Sequence, residues 1–188
     1  MNRREFLALS AATAACSSEP IPDDPEPKFP KFLTGYEDLY AKDPRAATLQ
    51  WFTDADFGLF LHYGVYSQVK HGEWVQLRET IPVAEYAKLK DTFDPKNFDA
   101  DRITDMAIAA GMKYVNLTAC HHDSFCLFRT NETDFNSLDS CGRDLVGELA
   151  DACHAKGLGL FLYYSYALDW KHPYFYPRET ASLDWHNA

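Results

Sequence analysis

Apolar residues fall into two rhythms along this chain. Three stretches are almost unbroken: Phe57-Gly-Leu-Phe-Leu-His62, Lys113-Tyr-Val-Asn-Leu-Thr118 and Leu158-Gly-Leu-Phe-Leu-Tyr-Tyr164. Short apolar runs rich in aliphatic and aromatic residues predict strands buried on both faces. Three other stretches carry apolar residues every three or four positions, the helical period. Val83–Thr92 predicts a helix, and Asp99–Gly111 predicts another. In the latter, Asp99 or Asp101 is the expected N-cap and Gly111 the C′ residue, with Ile103, Met106, Ala107 and Ala110 on one face. Arg143–Lys156 predicts a third helix, with Leu145, Leu149 and Ala152 inward and Gly157 as its stop.

Near-continuous apolar strands joined by helices imply a parallel sheet covered on both faces. Three β/α units are legible. A closed (β/α)8 barrel needs roughly 250 residues, whereas 153 follow residue 35 (188 − 35). The expected fold class is α/β. It is either a small open sheet or, as favoured here, the N-terminal portion of a (β/α)8 TIM-like barrel over residues 36–188. Such a partial barrel, taken alone, is expected to leave strand edges unpaired and prone to aggregation.

The first residues read differently. Arg3-Arg4-Glu5-Phe6-Leu7 opens a short Ala-rich apolar stretch that ends at Ala15. It has the form of a twin-arginine export signal and is too short to span a membrane. Ala14-Ala15-Cys16-Ser17-Ser18 has the form of a lipoprotein processing site with Cys16 as the lipidated residue. Cleavage at Ala12-Thr13-Ala14 is the alternative. The protein is therefore expected to be exported, as a membrane-anchored lipoprotein or as a soluble periplasmic or secreted form. Five prolines within residues 20–30 make residues 17–35 a spacer.

Composition narrows the function classes. A net charge of −10 argues against a nucleic-acid partner and against an anionic membrane surface. The chain is 46% hydrophobic and 15% aromatic, enough for a real core. Export would permit disulfides among Cys120, Cys126, Cys141 and Cys153, in any of three pairings. Cys120, at a strand end, and Cys153, in a helix, equally suit buried free thiols.

Polar groups gather where the predicted strands end. The first strand runs into His62-Tyr63-Gly64, the second into His121-His122-Asp123, and the third into Tyr163-Tyr164-Ser165 with Asp169-Trp170 just after. Gly72-Glu73-Trp74 lies between the first two. In parallel α/β folds the C-terminal strand ends form the ligand-binding edge. His and Glu hydrogen-bond hydroxyl groups, while Trp and Tyr pack on the apolar C–H face of a ring, so this set suits a sugar. A metal is the other reading of His121-His122 with Asp123 and Cys126 nearby. Neighbours on a strand point to opposite sides, so joint ligation requires the loop to bend.

These residues also resemble a known family. Phe57-Gly-Leu-Phe-Leu-His62-Tyr-Gly64, Gly72-Glu-Trp74, His121-His-Asp-Ser-Phe-Cys-Leu-Phe128, Thr133-Asp-Phe-Asn136, Gly142-Arg-Asp-Leu-Val146 and Leu162-Tyr-Tyr-Ser165 with Asp169-Trp170 are similar, in order and spacing, to α-L-fucosidases of glycoside hydrolase family 29. The resemblance runs from about Trp51 to His172. It implies a (β/α)8-like catalytic domain that removes terminal α-L-fucose from glycans with retention, through a carboxylate nucleophile and a separate acid/base. No cofactor or metal is implied. By motif, His62, Glu73, His121 and His122 contact the sugar hydroxyls, and Trp74 and Tyr164 line the pocket. Cys120 and Tyr63 stand where relatives commonly carry a basic residue and Trp. The family nucleophile and acid/base are expected beyond Ala188, so the chain alone is expected to be inactive. Two other readings remain open: a non-catalytic fucose-binding lipoprotein, and a (β/α)8 glycosidase for another sugar.

Overall fold

The computed structural model describes residues 29–172. The export signal, Cys16 and most of the Pro-rich spacer lie outside the described residues. Three parallel strands form one sheet in the order β1 (Gly58–Leu61), β2 (Tyr114–Cys120), β3 (Gly159–Tyr164). Helix α1 (Pro44–Asp54) precedes β1, α2 (Ala100–Ala109) precedes β2, and α3 (Leu145–Lys156) precedes β3. This is the parallel α/β arrangement that the alternating rhythms predicted.

Each long helix begins where its sequence supplies a cap. Asp43, Asp99 and Asp144 accept hydrogen bonds from the backbone N–H groups of Ala46, Arg102 and Gly147. Pro44 opens α1, where its missing N–H costs nothing. Gly157 ends α3 with φ 74, a left-handed conformation that glycine adopts without strain.

The two faces of the sheet differ. Leu59 and Leu61 of β1, Val115 and Leu117 of β2, and Leu160 of β3 meet the inward residues Ala107 of α2 and Leu145, Leu149 and Cys153 of α3 in the main core. On the other face the register aligns Phe60, Asn116 and Phe161 in one row and Thr118 with Tyr163 in the next. That face stays open among the described residues, with Phe60 50% and Phe161 37% exposed. Helix α1 covers its N-terminal end: Trp51 stacks on Phe161 at 6.4 Å, and Phe52 packs against Tyr114 and Phe161. Gly159 permits this approach, because a Cβ there would sit 2.3 Å from the Trp51 ring.

Arg143 fastens the loop that enters α2. Its guanidinium donates to Pro95 O at 2.8 Å and Phe98 O at 2.9 Å, and pairs with Glu148 on α3. A planar fork with five donors can serve three acceptors at once.

The structure departs from the pattern-based expectations in four places. Val83–Thr92 is one α-helical turn, Val83–Tyr86, followed by a 3-10 segment, Ala87–Thr92, because no amphipathic stripe long enough to sustain a helix exists there. In α2 the inward stripe is the buried Thr104 and Ala107 with the half-buried Ile103, while Met106 and Ala110 are exposed. Thr104 can be buried because its hydroxyl donates to the carbonyls of Ala100 and Asp101. Strand β2 continues past Thr118 to Cys120 across a register irregularity. The packed structure also starts before residue 36: Lys31–Leu33 form a 3-10 turn, Leu33 is fully buried, and Phe32 packs on Trp51 at 4.7 Å.

Candidate functional site

The longer β2 decides the site. His121 and His122 follow the strand end directly, and the chain then folds back on itself. Leu127 N–H donates to Ala119 O at 2.8 Å, and Ser124, with φ 67, lets its N–H donate to His121 O at 3.0 Å. Asp123 is buried and locks the bend, accepting from the Tyr86 hydroxyl at 2.8 Å and from Phe125 N–H at 3.1 Å. Trp170 N–H donates to His122 O at 2.6 Å, tying the loop after β3 to the loop after β2.

The bend places both imidazoles in one aromatic cluster. The rings of His121 and His122 lie 4.1 Å apart, and that of His62, at the end of β1, lies 5.6 Å from His121. Trp74 meets His122 edge-on at 5.1 Å and Trp170 at 5.4 Å. Tyr66 stands 5.6 Å from His121, its hydroxyl sharing a hydrogen bond with Thr118 Oγ1 at 3.2 Å. Three chain segments thus deliver side chains to one corner at the C-terminal edge of the sheet. Helix Val75–Arg78 presents Trp74 from its N-cap position.

Of the residues expected by motif, His62, Trp74, His121 and His122 come together in this cluster. Glu73 is near enough for its charge to act on His122 and Tyr66. Tyr164 is placed elsewhere: it is 57% exposed and turns toward Cys120 and Cys126. Tyr163 occupies the corner instead, with its ring 5.9 Å from His121 and 6.4 Å from His62. The reason is strand parity. Tyr163 pairs with Thr118 in the row next to Phe60 and Phe161, and its neighbour Tyr164 must face the other way. Alternation along β3 carried this signal, but the unbroken apolar run hid it. Tyr66 and the Asp123–Tyr86 pair were missed, since a core Tyr has no sequence mark, and Ser165 was placed at its strand end without a role.

Electrostatics set the state of the imidazoles. Burial, followed by the nearby His122 and His62, pushes the His121 pKa down to about 3. Burial also lowers His122, although the Leu168 carbonyl and Glu73 act in the opposite sense. Both rings are therefore neutral near pH 7, each able to donate through one nitrogen and accept through the other. His121 Nδ1 is buried and has no hydrogen-bond partner, a polar atom that a ligand hydroxyl could satisfy. Asp123 runs the other way, its carboxyl pushed up to about 6 by burial. Among the described residues, no three His, Cys, Asp or Glu side chains are placed to hold a metal ion.

The comparisons with known proteins converge on one family. The α-L-fucosidase family profile matches residues 33–187. The human plasma α-L-fucosidase is 34% identical over 154 residues, covering 71% of this chain and 32% of that protein. The rat tissue α-L-fucosidase is 36% identical over 142 residues, covering 66% and 30%. The chain thus spans about a third of the length of these relatives. Among solved structures, α-L-fucosidase isoenzyme 1 from Paenibacillus thiaminolyticus is 42% identical with a TM-score of 0.66, covering 72% of this chain and 34% of that one. A GH29 α-L-fucosidase from Bacteroides thetaiotaomicron is 32% identical with a TM-score of 0.64, covering 66% and 30%. The order of the motifs, the parallel sheet they build and the match across residues 33–187 all point one way: the chain belongs to the α-L-fucosidase family.

Proposed function

We propose that this chain forms the fucose-recognition corner of an exo-acting, retaining α-L-fucosidase with a (β/α)8 catalytic domain. The observation that carries the reading is the convergence of His62, His121, His122, Trp74 and Tyr163 at the C-terminal edge of a parallel sheet, in a chain of this family. Neutral imidazoles suit the hydroxyls of a neutral sugar. A proton on either ring would turn an acceptor into a donor and add a buried charge. Trp74 offers the flat apolar wall that the C–H face of the ring and the 6-methyl group need.

Retaining hydrolysis needs two carboxyl groups about 5 Å apart flanking the glycosidic bond. Asp123 is engaged by Tyr86 and Phe125, and Asp169 by Ser124 and by the N–H groups of Lys171 and His172. In this reading neither is free to attack an anomeric carbon, and the nucleophile and acid/base lie outside residues 29–172. The substrate is a terminal α-L-fucosyl group on a glycan. Export by the twin-arginine-type signal, with lipid at Cys16, belongs to the same proposal and would place the enzyme where such glycans are met.

Titration of the protein with L-fucose and with L-galactose, which differs from it only in carrying a hydroxymethyl group in place of the methyl, tests the sugar reading. Binding of L-fucose at least tenfold tighter than L-galactose, lost in His121→Ala, is expected. Equal affinity for the two sugars would overturn it, because a hydroxymethyl group should be rejected where an apolar wall awaits a methyl. Turnover of an aryl α-L-fucoside with retained anomeric configuration by a protein that continues past Ala188, followed by NMR, tests the mechanism. Turnover by the 188-residue chain itself would overturn the placing of nucleophile and acid/base.

A further inference from the structure

Cys120 and Cys126 hold a relationship that fucose recognition does not use. Cys120 ends β2, and Cys126 lies opposite it in an isolated antiparallel bridge. The backbone groups of each point away from the other. Cys120 O accepts from Ser165 N–H at 2.9 Å, while Cys126 N–H donates to Phe135 O and Cys126 O accepts from Ser137 N–H. The flanking bond from Leu127 N–H to Ala119 O completes the pattern of a non-hydrogen-bonded pair. At such positions facing Cα atoms approach to roughly 4.5 Å, within the span a disulfide bridges. The two side chains are close enough to hydrogen-bond. Each thiol also has a long contact, at 3.8 Å, to a backbone carbonyl of the loop, and the Tyr164 side chain reaches Cys120.

We propose that Cys120 and Cys126 are a covalent modification site, closing to an intrachain disulfide that staples the end of β2 to the loop bearing His121 and His122. The oxidant is a small-molecule or protein disulfide. The Cys126 thiolate attacks one of its sulfurs and expels a thiolate, giving a mixed disulfide. Cys120 then displaces the second thiolate and forms the Sγ–Sγ bond. Two S–H bonds break, two electrons pass to the oxidant, and it leaves as two thiols carrying both protons. The order follows from the environment: the hydrogen bond from Cys120, aided by the charge of Lys171, holds the Cys126 thiol below its usual range. Access is from a cavity of about 400 Å³ that both cysteines line together with Tyr164, Asp169 and Lys171. Closure traps His121, His122 and Asp123 within one small ring.

Peptide mapping tests this independently of any reading about fucose. Both cysteines fall in one tryptic peptide, Tyr114–Arg129, whereas Cys141 and Cys153 fall in two others. The full chain is equilibrated with reduced and oxidised glutathione, unfolded in denaturant with an alkylating agent, and digested. In the oxidising mixture the Tyr114–Arg129 peptide should be unalkylated and lighter by two hydrogens, while the peptides of Cys141 and Cys153 carry the alkyl group. In Cys126→Ser, Cys120 should become fully alkylated. Alkylation of both thiols in the oxidising mixture overturns the proposal, as does a bond from either one to Cys141, to Cys153 or to a second chain.

Discussion

Ser165 Oγ lies 2.6 Å from His122 Nδ1 and 2.5 Å from Leu168 O. A carbonyl oxygen can only accept, so the single hydroxyl proton of Ser165 goes to Leu168. The hydroxyl oxygen must then accept from His122, which fixes the proton of the neutral imidazole on Nδ1 and leaves Nε2 as an acceptor. Ser165 is thus a positioning residue for the imidazole.

Ser165→Ala should therefore weaken L-fucose binding by about 2- to 10-fold, the worth of roughly one neutral hydrogen bond. Calorimetric titration gives the affinity. Nitrogen-15 NMR of the imidazole gives a readout that mere loosening would not move: the single Nδ1–H tautomer should give way to a mixture. Ser165→Thr should restore both. An unchanged tautomer in Ser165→Ala would remove Ser165 from this role.

Acid stability should reveal two opposed titrations. His121 takes up a proton near pH 6.5 when unfolded but only at about 3 in the fold. Acidification between those values therefore disfavours the fold, by up to about 1.4 kcal/mol per pH unit. Asp123 has the reverse sign. The fold protonates it at about 6, whereas an unfolded Asp waits until about 3.9, so acidification between those values favours the fold by a similar amount. The two nearly cancel between about pH 6 and pH 4, leaving the smaller loss from His122, which burial also lowers. Urea unfolding of Asp123→Asn should show about 1 kcal/mol more loss per pH unit than the unmodified protein, and His121→Gln should become more stable on acidification. Parallel curves for all three proteins would mean that neither group titrates as its burial implies.

Much of this architecture is legible in the sequence, because the cues are local. Asp99 as a cap, Gly157 as a stop, and three apolar runs as parallel strands follow from short-range chemistry, whereas the helix expected from Arg143 starts at Leu145 behind its Asp144 cap. The gathering of His62, His121 and His122 at one edge also follows, since strand ends in such sheets lie side by side. What escaped depends on contacts distant in sequence. Asp123 meets Tyr86 from 37 residues away, and His122 meets Ser165 from 43 residues away. The Met106 error is of a different kind: hydropathy placed it inward, but Thr104, which satisfies its own hydroxyl, took the buried position.

Arg143 concentrates stability in one side chain. Arg143→Ala would strand the carbonyls of Pro95 and Phe98 and remove the guanidinium, 6.0 Å from the Phe98 ring centroid. The surface pair with Glu148 adds little, being partly screened by solvent. A loss of about 2–3 kcal/mol in denaturant unfolding is expected from the unpaired acceptors and the lost packing. Arg143→Lys should recover only part of this, because an ammonium cannot reach two separated carbonyls with a planar fork. Full recovery by Lys would mean that charge alone matters at this position.

Tyr163 and Tyr164 give the sharpest comparison between motif and geometry. The motif favours Tyr164 as a pocket wall, yet the register turns Tyr163 toward His62, His121 and His122 and leaves Tyr164 against Cys120. If a sugar packs in that corner, Tyr163→Ala should weaken L-fucose binding by about 1–2 kcal/mol, roughly 5- to 30-fold, comparable with Trp74→Ala. Tyr163→Phe should lose less, because the ring face supplies the packing. Tyr164→Ala should leave the affinity within about twofold, since its ring is on the far side of the strand. Circular dichroism and unfolding midpoints separate binding effects from misfolding. If Tyr164→Ala loses affinity while Tyr163→Ala does not, the sugar sits against the opposite side of β3, and the corner built by the histidines is not the fucose pocket.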